Sequence, residues 1–349
     1  MKARPLLESI PFGWILLGLG LGSGIALVLA AAIGAVPLSP RRQLELLWGL
    51  LRGLPLWEQP EAQLYLSLRL PRVLTAYLVG MSLACVGTLF QSLLRNPLAE
   101  PFILGVSPGA SLGVTVALAL GAGVPFQALG WGVLGSRTAA AFLGGLSAVL
   151  VAYLLASRGR HLNLTDVLLA GIAVGALATA ITSYLWIRVL QEFRGLLYWL
   201  MGSFAGSSWR YVSLLAATTL PVILAAWRLA SAFDLLLLGE EHAAYLGLDV
   251  ERLKRATIAV GTLAAAATVA VSGVIGFVGI IVPHLARRTV GPVHTRLIPS
   301  ASLLGGIFLV ACDLIARTVA APLELPVGML TALVGAPFFL YVLRQSRAV

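Results

Sequence analysis

The chain has 349 residues, of which 59% are hydrophobic and 11% charged, with a mean hydropathy of +0.95. A soluble protein carries about 25% charged residues, so a water-facing enzyme and a disordered tail are both excluded, and the bilayer is the solvent. The net charge of +10 does not signal nucleic acid: apart from Lys2 and Lys254 the basic residues are arginines, scattered in ones and twos between apolar runs as loop charges and interfacial anchors.

The first run, residues 12–36, follows Lys2 and Arg4 but is too long for a signal-peptide core and long enough to span a hydrocarbon layer of about 30 Å. Further runs cover 73–94, 107–124, 138–156, 167–187, 211–230, 257–271, 273–285, 299–316 and 325–343. The pattern predicts an all-α integral membrane protein with ten transmembrane helices in a single domain, 1–349. Residues 257–282 could form one long helix; Gly273, Gly276 and Gly279, with Pro283 closing the run, favour a break there. An even number of spans puts both termini on one side. Termini inside gives 14 basic residues in or next to inner loops and 10 outside, which leans toward that orientation. Gly18, Gly20, Gly22 and Gly24 in the first span, and Gly171 and Gly175 in the fifth, predict close helix packing through small residues. Cys85 and Cys312 sit inside apolar runs and read as small core residues.

Neither lysine follows the glycine spacing of a phosphate-binding loop, so any ATP-driven work needs a partner motor. Gly105-Val106-Ser107-Pro108-Gly109 fits the G-x-S-x-G pattern, but a turn-rich loop precedes it where a hydrolase needs a strand; Ser107 before Pro108 reads as an N-cap. The four histidines, His161, His242, His284 and His294, have no metal spacing, and no cofactor is expected.

Residues 239–255 are the most charged stretch and read as two short helices. Glu240 and Glu241 suit the positive start of the first, Gly247 its left-handed end, and Asp249 caps a second that runs into the seventh span. The functional reading is a short amphipathic helix over 243–246 that docks in a groove of a cytoplasmic partner; the plainer one is a solvated loop. Arg69 and Arg72 flank Pro71 on the outer side, and Asp313 precedes Arg317 by one helical turn, an order that favours pairing. These arginines are either snorkelling anchors or a basic rim for an acidic soluble partner.

Arg69-Leu70-Pro71-Arg72, Asn96-Pro97-Leu98-Ala99-Glu100-Pro101 with Gly105-Val106-Ser107-Pro108-Gly109-Ala110, Gly239-Glu240, Gly276-Phe277-Val278-Gly279 with Val282-Pro283-His284, and Glu324-Leu325-Pro326-Val327-Gly328 form a specific combination. In this order and spacing they resemble the FecCD permease family, the transmembrane subunits of type II ABC importers for ferric siderophores, haem and cobalamin. The resemblance implies the type II importer permease fold, both termini in the cytoplasm of a bacterial or archaeal cell, and a homodimer or pair of like subunits around the path. It also implies two ABC ATPase subunits below, a periplasmic or lipid-anchored binding protein above, and alternating access without chemistry on the cargo. It assigns Arg69, Arg72 and Arg317 to binding-protein docking. Gly239, Glu240, Glu241, Ala243, Leu246 and Gly247 go to ATPase coupling, within a cytoplasmic segment 231–255. Asn96, Leu98 and, in a second loop around 163–165, Thr165 go to a cytoplasmic gate. A ferric siderophore is the expected cargo, with cobalamin or haem as the alternative. An ion-coupled secondary transporter would instead need an intramembrane carboxylate at a broken helix, for which Asp313 is the candidate.

Overall fold

The computed structural model describes residues 6–7, 10–34, 38–54, 58–120, 135–158, 161–188 and 198–346. Lys2, Arg4, Arg160, Arg194 and Arg347, which enter the orientation count, lie outside them, as do the predicted span ends at 36 and 121–124. The regular structure of the described chain is helical apart from one small hairpin. Its helices are α1 (Phe12–Ala32), α2 (Pro40–Leu51), α3 (Pro60–Leu93), α4 (Val106–Ala119), α5 (Ser136–Ala156), α6 (Leu164–Arg188), α7 (Trp209–Arg228), α8 (Ala230–Leu236), α9 (Glu240–Tyr245), α10 (Val250–Ser272), α11 (Val278–Val290), α12 (His294–Thr318) and α13 (Val327–Ser346). Strands β1 (Ser157–Arg158) and β2 (His161–Leu162) pair antiparallel between α5 and α6.

Each of the ten predicted spans falls on a helix, and seven of the described helices are long and apolar enough to cross a membrane: α1, α3, α5, α6, α7, α10 and α12. The apolar parts of α4 and α13 are shorter. Helix α11 has 13 residues, about 20 Å at 1.5 Å per residue, and does not cover a ~30 Å hydrocarbon layer by itself.

Helix α3 is the axis of the bundle: 89% of its apolar window is buried, against 28% for α1 and 22% for α6 and α7, whose apolar outer faces are left uncovered by this chain. It achieves this by backbone approach. A Cβ on Gly80 would overlap the Gly305 carbonyl of α12, so glycine at both positions lets the two helices touch main chain to main chain. Gly171 and Gly175 likewise bring α6 onto Leu104 and Pro108. The glycines of α1 behave differently: Gly18, Gly20 and Gly24 have nothing within 4 Å of a would-be Cβ, and Gly22 meets Ile307 at 3.6 Å. The predicted tight packing of that glycine row is therefore not made within this chain, because α1 presents most of the row outward.

The expected break within 257–282 is present. Helix α10 ends at Ser272, Gly273 turns the chain with φ +71°, and α11 restarts after Phe277, itself left-handed at φ +68°. A side chain at Gly335 would collide with the Phe277 ring, so the small residue on α13 makes room for this turn. The capping reading of Ser107 needs correction. Helix α4 starts two residues earlier, with left-handed Gly105 as its N-cap, and the buried Ser107 hydroxyl has no hydrogen-bond partner. Cys85 and Cys312 are buried and unpaired, as core residues.

Helix α2 lies outside the predicted spans. Ser39 caps it, its Oγ accepting from Arg42 N at 3.2 Å, and Pro40 opens it. Leu46 is buried while Leu44, Trp48 and Leu51 are exposed, an amphipathic character that suits the membrane interface. Arg42 donates to Glu61 at 3.0 Å, Gln59 at 3.0 Å and Glu45 at 3.3 Å. The bonds to Glu61 and then Glu45 hold its guanidinium above the usual arginine range.

Candidate functional sites at the two ends of the bundle

From Arg72 to Leu93 along α3 is about 32 Å at helical rise, so the two ends of this helix lie on opposite faces of the bundle. Each end carries one of the predicted clusters.

At the first end the three arginines are brought together, but their guanidiniums are already engaged by this chain. Arg69, the last residue of a π-wound turn (Leu64–Arg69), is buried and donates to the carbonyls of Ala31 and Ala32 at 3.1 and 3.2 Å, closing the end of α1. Arg72 donates through Nε and Nη2 to Asp313, the shortest contact being 2.9 Å, and through Nη1 to Glu324 at 2.9 and 3.0 Å. Arg317 lies 3.6 Å from Asp313 and donates to the Ala30 carbonyl. The predicted Asp313–Arg317 pair exists, yet Asp313 gives its better geometry to Arg72. Three cations face two carboxylates, leaving one net positive charge. Asp313 has 2% of its side chain exposed and Glu324 46%, so the network is dry on one side and open to water on the other. Charge reversal at Arg69 is accordingly expected to unfold the α1 end before it affects any docking. Arg69→Glu should lower the yield of folded protein on size-exclusion chromatography several-fold, whereas Arg69→Lys, which keeps a donor, should be milder.

At the opposite end the 239–255 segment folds as its capping signals predict. Glu240 and Glu241 open α9, Gly247 is left-handed at φ +88°, and the Asp249 carboxylate accepts from Arg252 N at 2.9 Å at the start of α10. The helix presents a different face from the one expected. Ala243 is fully buried in the chain's own core, while Tyr245 and Leu246 are 89% and 62% exposed. The outward surface therefore includes Tyr245, Leu246 and Gly247 beside the exposed Glu241, His242 and Ala244, with Ala243 as the foot on which the turn stands.

Both predicted loops have the same local construction. Asn96 Oδ1 accepts from Leu98 N at 2.9 Å, and Asn163 Oδ1 accepts from Thr165 N at 2.9 Å, two Asx turns that stiffen short polar loops. Asn163 and Thr165 line a cavity of about 580 Å³ that also touches Arg95, Glu240, Glu251 and Lys254. Asn96 and Leu98 do not line it. The loop containing Asn96 is anchored at its far end, where Glu100 Oε1 accepts from Phe277 N at 2.5 Å. Two motifs far apart in the sequence, Asn96–Pro101 and Gly276–Gly279, are thus two halves of one joint: a carboxylate at the positive N-terminus of α11. Glu100→Ala should cost about 1.5–3 kcal/mol, the range for a hydrogen bond to a charged group, and Glu100→Gln less, read as thermal midpoints in detergent.

Sequence reasoning missed Lys254. Its ammonium reaches Glu240 Oε2 at 2.5 Å, Glu251 Oε1 at 3.2 Å and the Leu162 carbonyl at 3.3 Å. The signal was available: this is the single lysine besides Lys2 in an arginine-rich chain. It also missed a Ser92–His294–Asp234 chain, with Ser92 Oγ 2.5 Å from His294 Nε2 and His294 Nδ1 2.6 Å from Asp234 Oδ1. Ser92 and His294 are 3% and 1% exposed, so no substrate reaches this constellation, and the Ser92 hydroxyl already donates to the Thr88 carbonyl. Its effect is to tie α3 and α12 to α8.

Comparison with known proteins agrees with this architecture. The model of the FecCD transport family matches residues 23–345. The cobalamin import system permease protein BtuC of Halobacterium salinarum is 45% identical over 281 residues, covering 80% of this chain and 73% of the relative. The hemin transport system permease protein HmuU of Yersinia pestis is 40% identical over 319 residues, 91% of each chain. A solved structure described as an inward-facing metal-chelate type ABC transporter superposes with a TM-score of 0.81 at 31% identity, covering 95% of this chain and 99% of the other. With the family model spanning most of its length and relatives at 40–45% identity, the chain belongs to the FecCD transport family.

Proposed function

We propose that this chain is the membrane-spanning subunit of an ATP-driven, binding-protein-dependent importer whose cargo is cobalamin. The observation that carries this reading is the 45% identity to a cobalamin import permease. Haem is the second reading, favoured by the hemin permease that matches over 91% of both chains. Both named relatives carry metal-bearing tetrapyrroles, which favours that cargo over the ferric siderophore expected from the sequence.

The rest follows from the two ends. Two ATPase subunits engage the segment 231–255 through Tyr245, Leu246 and Gly247, with Gly239, Glu240, Glu241 and Ala243 forming the base of the turn. Asn96, Leu98 and Thr165 form the cytoplasmic gate, on loops stiffened in the same way. A second copy of the chain completes the path. The α9 end faces the cytoplasm, with both termini on that side, in accord with the excess of basic residues there. On the outer side the binding protein docks at Arg72 and Arg317, with Arg69 supporting them from below. Glu324, exposed and bidentate on Arg72, holds the place that a partner carboxylate takes on docking.

The test is uptake by proteoliposomes containing the permease, its ATPase and its binding protein, offered cobalamin, hemin and a ferric siderophore in turn. ATP-dependent accumulation of cobalamin is expected. Accumulation of hemin alone would establish the second reading, and accumulation of the siderophore alone would overturn both.

A further inference from the structure

The cavity that holds Asn163 and Thr165 is separated from the outward turn of α9 by a cluster of side chains built around one buried ammonium. Lys254, in the second turn of α10, has 5% of its side chain exposed. An ammonium has three donors and no acceptor, and here all three are taken: by Glu240 Oε2 at 2.5 Å, Glu251 Oε1 at 3.2 Å and the Leu162 carbonyl at 3.3 Å. Glu251 uses its other oxygen to accept from Leu162 N at 2.9 Å. Both main-chain polar groups of Leu162 are therefore held by this cluster. Leu162 is the last residue of β2, is itself buried, and directly precedes Asn163, whose side chain fixes Thr165.

The cluster thus connects three elements: the first residue of α9 through Glu240, the start of α10 through Lys254 and Glu251, and the β1–β2 hairpin that leads into the second gate loop. Its two sides differ in hydration, since Glu240 is 45% exposed and Lys254 is not. A charge this far from water is costly to strand, so the ammonium follows its acceptors or they follow it. The cavity of about 580 Å³ alongside gives the hairpin room to move. A lysine suits three converging acceptors, whereas the planar fork of arginine, used almost everywhere else in this chain, does not.

We propose that Lys254 is a positioning residue that links the ATPase-facing turn to the gate, so that displacement of α9 moves β2 and with it the loop at Asn163–Thr165. This inference rests on the importer reading above. A merely structural ion pair would hold the fold together without making the gate respond to nucleotide, and that is where the two accounts separate.

The test uses the assembled transporter in vesicles with a reporter cysteine at Asp166, which lines the cavity. Cys85 and Cys312 are buried and stay silent to an impermeant maleimide. With Lys254 present, a non-hydrolysable ATP analogue is expected to change the labelling rate at least several-fold. Lys254→Met should bring the ratio of rates with and without nucleotide close to one, while the ATPases still copurify and hydrolyse ATP. If Lys254→Met fails to assemble, Glu240→Gln at the wet side of the cluster decides: a ratio moved toward one supports the link and an unchanged ratio overturns it. An unchanged ratio in an assembled Lys254→Met transporter overturns it as well. Failure of the importer reading has a separate signature, because the reporter protein with Lys254 intact would then neither retain ATPases nor respond to nucleotide.

Discussion

Asp313→Ala is expected to destabilise the permease by about 3–5 kcal/mol, the penalty for breaking a buried ion pair by removing one partner. The carboxylate is nearly sealed from water and is the counter-ion of both Arg72 and Arg317; without it two guanidiniums share Glu324 alone. The expected readout is a large drop in thermal midpoint and in folded yield from membranes. Glu324→Ala gives the comparison. It removes a carboxylate from the same arginine, but one that is half in water, so the loss should be within about 1 kcal/mol, as for exposed pairs. If both substitutions proved equally mild, the network would be a surface feature without structural weight. Because Arg72 keeps Asp313 in the Glu324 variant, that protein should also bind its docking partner at least as tightly as the parent, now that a competing acid is gone.

The second large effect is expected at the α9 turn, where Leu246→Glu should leave ATP hydrolysis running while uptake falls to background. Leu246 is mostly exposed in the chain, so its replacement costs the fold little, yet fully burying a leucine side chain in a partner's groove is worth about 1.5–3 kcal/mol, roughly a 10- to 150-fold weakening when it is lost. Ala243→Glu should do the opposite. It places a charge in the core that Ala243 fills, so folded protein is lost before coupling can be measured. Uptake per ATP equal to the parent's in the Leu246→Glu protein would remove the turn from the coupling surface.

These contrasts show which parts of the molecule could be read from the sequence. Signals confined to a few residues were legible: the Glu240–Gly247 turn, the Asp249 cap and the break at Gly273 each follow from local backbone preferences that tertiary packing did not override. Apolar run length located the helices for the same reason. Helix α2 escaped because it is amphipathic, not uniformly apolar, and the β1–β2 hairpin because two residues per strand leave no pattern. Direction was also hidden. Nothing local says that Ala243 points in and Leu246 out, or that the glycine row of α1 faces away from the bundle. The pairings were the least legible of all: Arg72 finds Asp313 across 241 positions and Glu100 meets Phe277 N across 177, so each is a property of the folded bundle. The motifs marked these residues as important, and the structure supplies a reason for two pairs of them: Arg72 meets Glu324, and Glu100 meets Phe277.

On the function proposed above, the chain is a conduit driven by ATP from its α9 side. The most direct measurement is cobalamin accumulation in vesicles holding the complete complex, with Mg-ATP supplied only on the side of that turn and, separately, with only an ion gradient. Accumulation with ATP and none with the gradient is predicted; accumulation driven by the gradient without ATP would contradict the account and make the protein a secondary transporter.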